Sequence, residues 1–237
     1  FYQRQGNYFV RSMPETVQQT AATKQAARNF GIASRKAKLV RQAILPHLDI
    51  RPEGVLVNRL NKALLHAHGD IPAGFKGFQI NSQKGTAQFF CVQPVVTPQG
   101  TLKIPAQTLP PQTNATHLEI KVIAVRVSFL DRKVTGSSTA TTLLNLRQHF
   151  NGITLEANPP GKGTLLVVMQ VRCFNGSIAT ENRRGYAADI LAAVMPSVVK
   201  QRPAKTNNIP DVKKLLSPQP VTSRVNTPRQ IALLQRE

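Results

Sequence analysis

The sequence predicts an α+β, mainly β protein. Its centre is an antiparallel β-sandwich or jelly-roll-like domain, preceded by a basic helical hairpin and followed by an extended basic tail. Three observations carry that expectation. Apolar residues recur at helical spacing through residues 1–70 and alternate with period two through 71–196. Residues 197–237 then carry prolines and cations with few apolar anchors. The 237 residues are 41% hydrophobic, enough for a real core, so wholesale disorder is excluded.

The helical start reads as one long element. Ser12-Met13-Pro14-Glu15 has the form of a capping box, and a proline in the first turn removes no helical bond. Ala22, Ala26, Phe30, Ala33, Ala37, Val40 and Ile44 then step by three or four residues until Pro46. A second stripe, Lys24, Arg28, Gly31, Arg35 and Lys38, runs two residues out of phase, about 200° around the helix. Its cations therefore face away from the alanine seam. The bland alternative is a solvated face, but no carboxylate lies between Glu15 and Asp49. A merely solvated helix mixes both signs for pairing at i,i+4. A second helix is expected over Glu53–His68, with Leu56, Leu60, Ala63, Leu64 and Ala67 on one face and Gly69 as its stop.

Strands are expected at 75–81, 85–92, 101–104, 116–130, 134–142, 153–157 and 164–174, separated by Gly, Pro and Asn turns. Apolar residues are even-numbered in Leu118, Ile120 and Val122 but odd-numbered in Ile123, Val125, Val127 and Phe129, which predicts a β-bulge. Leu165 to Cys173 alternate against Gln170 and Arg172, as in a half-exposed strand after the Asn158–Gly163 turn. Residues 187–195 read equally as a last strand or a short helix. The tail, broken by Pro203, Pro210, Pro218, Pro220 and Pro228, retains only 212–216 and 231–234 as apolar anchors.

The formal net charge is +20, from 31 Lys and Arg against 11 Asp and Glu. Residues 1–52 carry +7, 53–150 carry +6, 151–196 carry +1 and 197–237 carry +6. The two ends thus hold most of the excess, and a polyanion or acidic neighbour is the expected partner. No apolar run reaches transmembrane length, and Phe1–Val10 lacks a signal-peptide core. The cytoplasm is the expected location, an exported form staying open because the chain starts at Phe1 rather than Met.

Motifs for other chemistries fail on spacing. Gly161-Lys162-Gly163-Thr164 lacks the first glycine of a phosphate loop and leads into a strand. Gly74-Phe75-Lys76-Gly77 has the GxxG form of a KH clamp but precedes a strand rather than joining helices. Lys84–Phe90 parallels an RNA-recognition-motif signature with Thr86 and Gln88 where aromatics belong. The five histidines form no i,i+4 pair, so neither a metal nor any other cofactor is expected. Cys91 and Cys173 read as buried free thiols, with one cross-sheet disulfide as the alternative. Carboxylates are scattered and no nucleophile elbow occurs, so the expectation is not an enzyme and no small-molecule substrate.

Arg11-Ser12-Met13-Pro14, Thr23-Lys24-Gln25-Ala26-Ala27, Phe30-Gly31-Ile32-Ala33-Ser34 and Asn58-Arg59-Leu60 with Phe78-Gln79-Ile80-Asn81 carry a resemblance to a known group. Over residues 10–195 the chain resembles uncharacterised proteins of Bacteroidota bacteria. The resemblance implies a basic helical start and a β-rich body, and no function or site residue.

The leading expectation is a structural subunit of a large assembly, ribonucleoprotein or nucleocapsid-like, whose basic arms contact nucleic acid without reading sequence. Lys24, Arg28, Arg35, Lys38 and Arg41 would meet phosphates along one edge, and Lys200, Arg202, Lys205, Lys213 and Lys214 would follow in an extended path. Arginine supplies 17 of the 31 cations, which favours bidentate phosphate contact. The rival is a homopolymeric filament, tube or shell subunit. There Ala26, Phe30, Ala33, Ala37 and Val40 pack helix on helix, while Leu215, Leu216, Leu233 and Leu234 dock the tail on a neighbouring copy. A membrane-surface role for the basic helix is weaker, because its alanine face is too thin to insert.

Overall fold

In the computed structural model, which describes residues 2–10, 19–67, 71–97 and 99–196, a small hairpin comes first. Strands β1 (Tyr2–Arg4) and β2 (Asn7–Phe9) flank Gln5 and Gly6 at φ 51° and 82°. Two successive positive-φ residues make the tight turn whose twist matches antiparallel strands.

Helix α1 (Ala21–Ile44) begins later than the sequence suggests. Gln19 and Thr20 are non-helical, and the Thr20 hydroxyl caps the helix by accepting from the Thr23 N–H at 3.2 Å. The Ser12–Glu15 box lies outside the described residues. A 3₁₀ turn, Leu45–His47, carries Pro46 and ends the helix where expected. Helix α2 (Leu56–His66) also starts late. Glu53 serves another purpose: its Oε1 accepts from the Ser82 N–H and hydroxyl at 2.6 and 2.8 Å, and its Oε2 meets Arg59 at 3.2 Å. The expected stop at Gly69 lies outside the described residues, and a short α3 (Ile71–Phe75) follows.

The remaining strands are β3 (Phe78–Gln79), β4 (Val95–Val96), β5 (Thr101–Ile104), β6 (His117–Ser128), β7 (Lys133–Asn145), β8 (Ile153–Glu156), β9 (Thr164–Asn175), β10 (Ile178–Ala179) and β11 (Tyr186–Val194). One antiparallel sheet runs β3-β11-β9-β6-β7, with β10 also on β9, and a smaller one runs β4-β5-β8. The ambiguous 187–195 segment is thus a strand. The expected strand at 85–92 is instead a 3₁₀ turn, Thr86–Phe89. Phe89 and Phe90 are consecutive yet both enter the same core, whereas neighbours on a strand point to opposite faces.

Two cores flank the large sheet. Ile123, Val125, Val127, Leu166, Val168, Ala188 and Ile190 face the helices, meeting Ala33, Ala37, Val40, Leu60, Leu64 and Phe75. On the opposite face Leu118, Ile120, Val122, Ala124, Val167, Met169 and Val171 meet Phe89, Leu102, Ile104 and Leu155. The protein is therefore α+β and mainly β, but layered as helices, large sheet and small sheet. Residues 33–75 share one core with the strands, so the helical start and the β body are not separate structural units.

This layering overturns two readings. The change of parity in β6 is not a bulge, because β6 pairs with β9 without interruption from His117↔Phe174 to Val127↔Thr164. Even positions simply meet the small sheet early in the strand, and odd positions meet the helices later. The shift lies on the partner strand, where Arg126 faces Gly136 and Val127 faces Val134, leaving Thr135 extra in β7. Thr135 Oγ1 donates to Arg126 O and Lys162 O at 3.2 and 2.7 Å. Nor is β9 half-exposed: Gln170 is wholly buried under the helix layer. The cysteines are both free, Cys173 buried and Cys91 exposed. Burial pushes the Cys173 thiol up, outweighing the nearby Lys84 charge.

Candidate polyanion interface

Helix α1 is two structures in one. Residues 21–30 are exposed all round, so the seam residues Ala26 and Phe30 have no core beneath them, and Phe30 is 50% exposed. Those ten residues extend about 15 Å at helical rise. From Ala33 onward the same seam enters the core, and Ala33, Ala37 and Val40 pack within their own chain. They are closed to contact with another copy. The reason is reach: the sheet supports only the second half of the helix.

The opposite stripe remains open. Lys24, Arg28, Arg35 and Lys38 are all exposed. Arg41 departs from them, with Nη1 shut from water and unpartnered in an apolar crease beside Leu45, Leu56 and Leu60. It lies about 100° round the helix from Lys24 at the head of the stripe, on the side that meets Leu56 and Leu60 of α2. Lys200, Arg202, Lys205, Lys213, Lys214, Leu215, Leu216, Leu233 and Leu234 lie outside the described residues.

Folding adds a cation that sequence periodicity did not reveal. Between β6 and β7 the turn places Arg132 at φ 53° opposite α1. Arg132, Arg35, Lys36 and Lys38 line a cleft of about 380 Å³ with Ile32, Leu39, Gln42 and Phe129. No carboxylate lines it. The neighbouring Asp131 accepts from the Ser128 hydroxyl at 2.7 Å, which ties it into its own turn. The signal for Arg132 was local: two adjacent cations, Arg132-Lys133, in a turn between long strands. Which helix that turn would face depended on tertiary packing.

Four cations elsewhere are held by partners. Lys121 meets Asp49 at 2.7 Å, and Arg172 grips Glu119 at 2.8 and 3.1 Å. Arg59 holds Glu53 and the Gln79 carbonyl. Arg126 donates to Pro159 O at 3.1 Å. Exposed cations also lie away from this stripe, among them Arg51, Lys76, Lys103, Arg147 and Lys162, and what sets the stripe and its cleft apart is that no carboxylate lies among them. The Lys84–Phe90 stretch offers no ring for base stacking, since Phe89 and Phe90 are buried. Among the described residues no helix is long and apolar enough to cross a membrane. No protein-family model, curated protein or solved structure matches the chain.

Proposed function

We propose that the protein is a non-enzymatic structural subunit of a large assembly, cytoplasmic, that contacts nucleic acid without reading sequence. The observation that supports this reading is the carboxylate-free basic face: Lys24, Arg28, Arg35 and Lys38 exposed along α1, joined at one cleft by Arg132. Exposed like charges this dense repel one another until an anion is bound. Arginine and lysine on a helix edge place phosphates and leave base edges unread.

The test is the salt dependence of binding by the full chain to a labelled duplex and a labelled single strand. With about six phosphates neutralised, log K falls with log salt at a slope near −5 on duplex. Arg35→Gln with Arg132→Gln removes two contacts and brings the slope about 1.4 to 1.8 closer to zero. A wild-type slope shallower than about −2 refutes the reading.

A second reading is a homopolymeric filament, tube or shell subunit with its C-terminal tail on a neighbouring copy. Strand β7 favours it. Among the described residues it is an edge strand of the large sheet, and residues 134–146 carry no charge at all. In a +20 chain a charge-free edge is where two copies meet with least repulsion. Light scattering of nuclease-treated protein in high salt separates the readings, since monomers alone remove the second.

A further inference from the structure

We propose, resting on the nucleic-acid reading, that the partner of the basic face is a DNA duplex. Leu130 enters that duplex as an apolar wedge and kinks it at a base step.

Leu130 stands in the turn between β6 and β7 and is 93% exposed, more than any other large apolar side chain among the described residues. A lone exposed leucine is ordinary on a protein surface. This one differs in its mount and its neighbours. The β6–β7 ladder runs out to Ser128↔Lys133, so only residues 129–132 bridge the two strands. Ser128 and Asp131 bond each other twice: the hydroxyl donates to Oδ2 at 2.7 Å and accepts from the Asp131 N–H at 3.2 Å. Phe129 packs back on the helix-side core, and Arg132 lines the basic cleft. The turn is thus pinned on both sides with Leu130 held outward.

The cleft itself is more than a seat for phosphate. Ile32 and Phe129 lie in its wall beside Arg35, Lys38 and Arg132, and Ile32 is 46% exposed. Cations set among apolar groups fit a polymer that offers phosphates with base faces between them. Leu130 and Arg132 are two residues apart, a span of at most about 7 Å. That is about two nucleotide spacings along one strand, so a backbone seated on Arg132 brings base steps within reach of Leu130. An apolar side chain between two bases unstacks them and bends the duplex, which lays more of it against the protein. A membrane fits less well, because one leucine on a narrow turn buries too little apolar area to anchor the chain.

The test uses the full chain and a duplex of about two helical turns carrying 2-aminopurine at a central pyrimidine–purine step, a kind that kinks easily. The same duplex is end-labelled for energy transfer. Wild type is expected to raise the 2-aminopurine fluorescence and to bend the duplex by about 20° or more. Leu130→Ser is expected to lose both signals while still binding with a salt slope steeper than about −2, and Leu130→Met to keep both signals. The side chain is exposed, so both variants should melt as wild type does. Salt-dependent binding with neither signal overturns the wedge and leaves the nucleic-acid reading standing. A wild-type slope shallower than about −2 refutes that reading and the wedge with it. Signals that survive Leu130→Ser also overturn the wedge. So does Leu130-dependent binding to vesicles of phosphatidylcholine and phosphatidylserine without a bend in the duplex, which assigns the turn to a lipid surface.

Discussion

Gln170 sits at the centre of the polar cluster joining helix layer to sheet, and replacing it with leucine tests how much that cluster stabilises. Its side chain is wholly buried on β9. Nε2 donates to Asp49 Oδ2 at 3.0 Å, and Oε1 accepts from the Asp49 N–H at 2.8 Å. Asp49 Oδ2 also receives Lys121 Nζ at 2.7 Å, and Arg172 reaches the Asp49 carbonyl at 3.3 Å. Leucine keeps the volume and deletes both bonds. Leaving the Asp49 N–H without its partner costs about 1–3 kcal/mol, and a bond to a carboxylate is worth about 1.5–3 kcal/mol. The Asp49 side chain is 37% exposed, so water replaces part of the second loss. The added apolar burial offsets about 1 kcal/mol more. The expected net destabilisation is about 2 kcal/mol, or roughly 4–8 °C in Tm for a domain of this size.

The pH dependence separates the two bonds. Burial raises the Asp49 pKa, but the hydrogen bonds from Lys121 and Gln170 and the charges of Lys121 and Arg172 outweigh it, so the net shift is downward. A depressed carboxylate contributes stability that is present above its unfolded value, near 3.8, and lost as pH falls through the folded one. The gap between wild type and Gln170→Leu, measured by urea unfolding, should therefore be widest at neutral pH and narrow in acid. What persists in acid belongs to the Asp49 N–H. Equal midpoints at pH 7, or a gap constant down to acid, would refute the reasoning.

Three further outcomes follow from single positions. Gly31→Ala should stabilise α1 by up to about 1 kcal/mol, since the added methyl meets only the Arg35 guanidinium at an ordinary 3.6 Å; a lower Tm would contradict this. Asp189 is raised by burial despite two bonds from Thr86, so its contribution is full below the unfolded value and lost as pH rises through the folded one. Asp189→Asn should therefore flatten the decline in stability from weakly acidic to neutral pH, which chemical unfolding at several pH values would detect. Gly163→Ala should cost about 2 kcal/mol or more, because φ is +133° and the new Cβ would lie 2.6 Å from Val127 O; an unchanged unfolding midpoint would show that the turn relaxes.

The candidate interface was legible where it followed helical period and obscure where it did not. Lys24, Arg28, Arg35 and Lys38 share a stripe by spacing alone, and all four are exposed. Arg41 was grouped with them by charge, but packing of α2 turns its guanidinium into an apolar crease. Ala26 and Ala37 belong to one seam by period, yet one is bare and the other wholly buried. Periodicity states which residues share a face and says nothing about how far the supporting sheet extends. The β6 parity change misled for a related reason, since a strand covered on both sides has no single apolar phase.

The sequence by itself determined the class of the protein, the order of its long elements, the one-sided α1 cations and the +20 balance. These depend on neighbours within a few residues or on composition. Tertiary structure decided what the seam packs against, which cations stay unpaired, and how Asp49 meets Gln170 across 121 residues of chain. It also decided that Arg132 joins the α1 stripe. Those facts arise from surfaces brought together over long sequence separations, where local period and propensity carry no information.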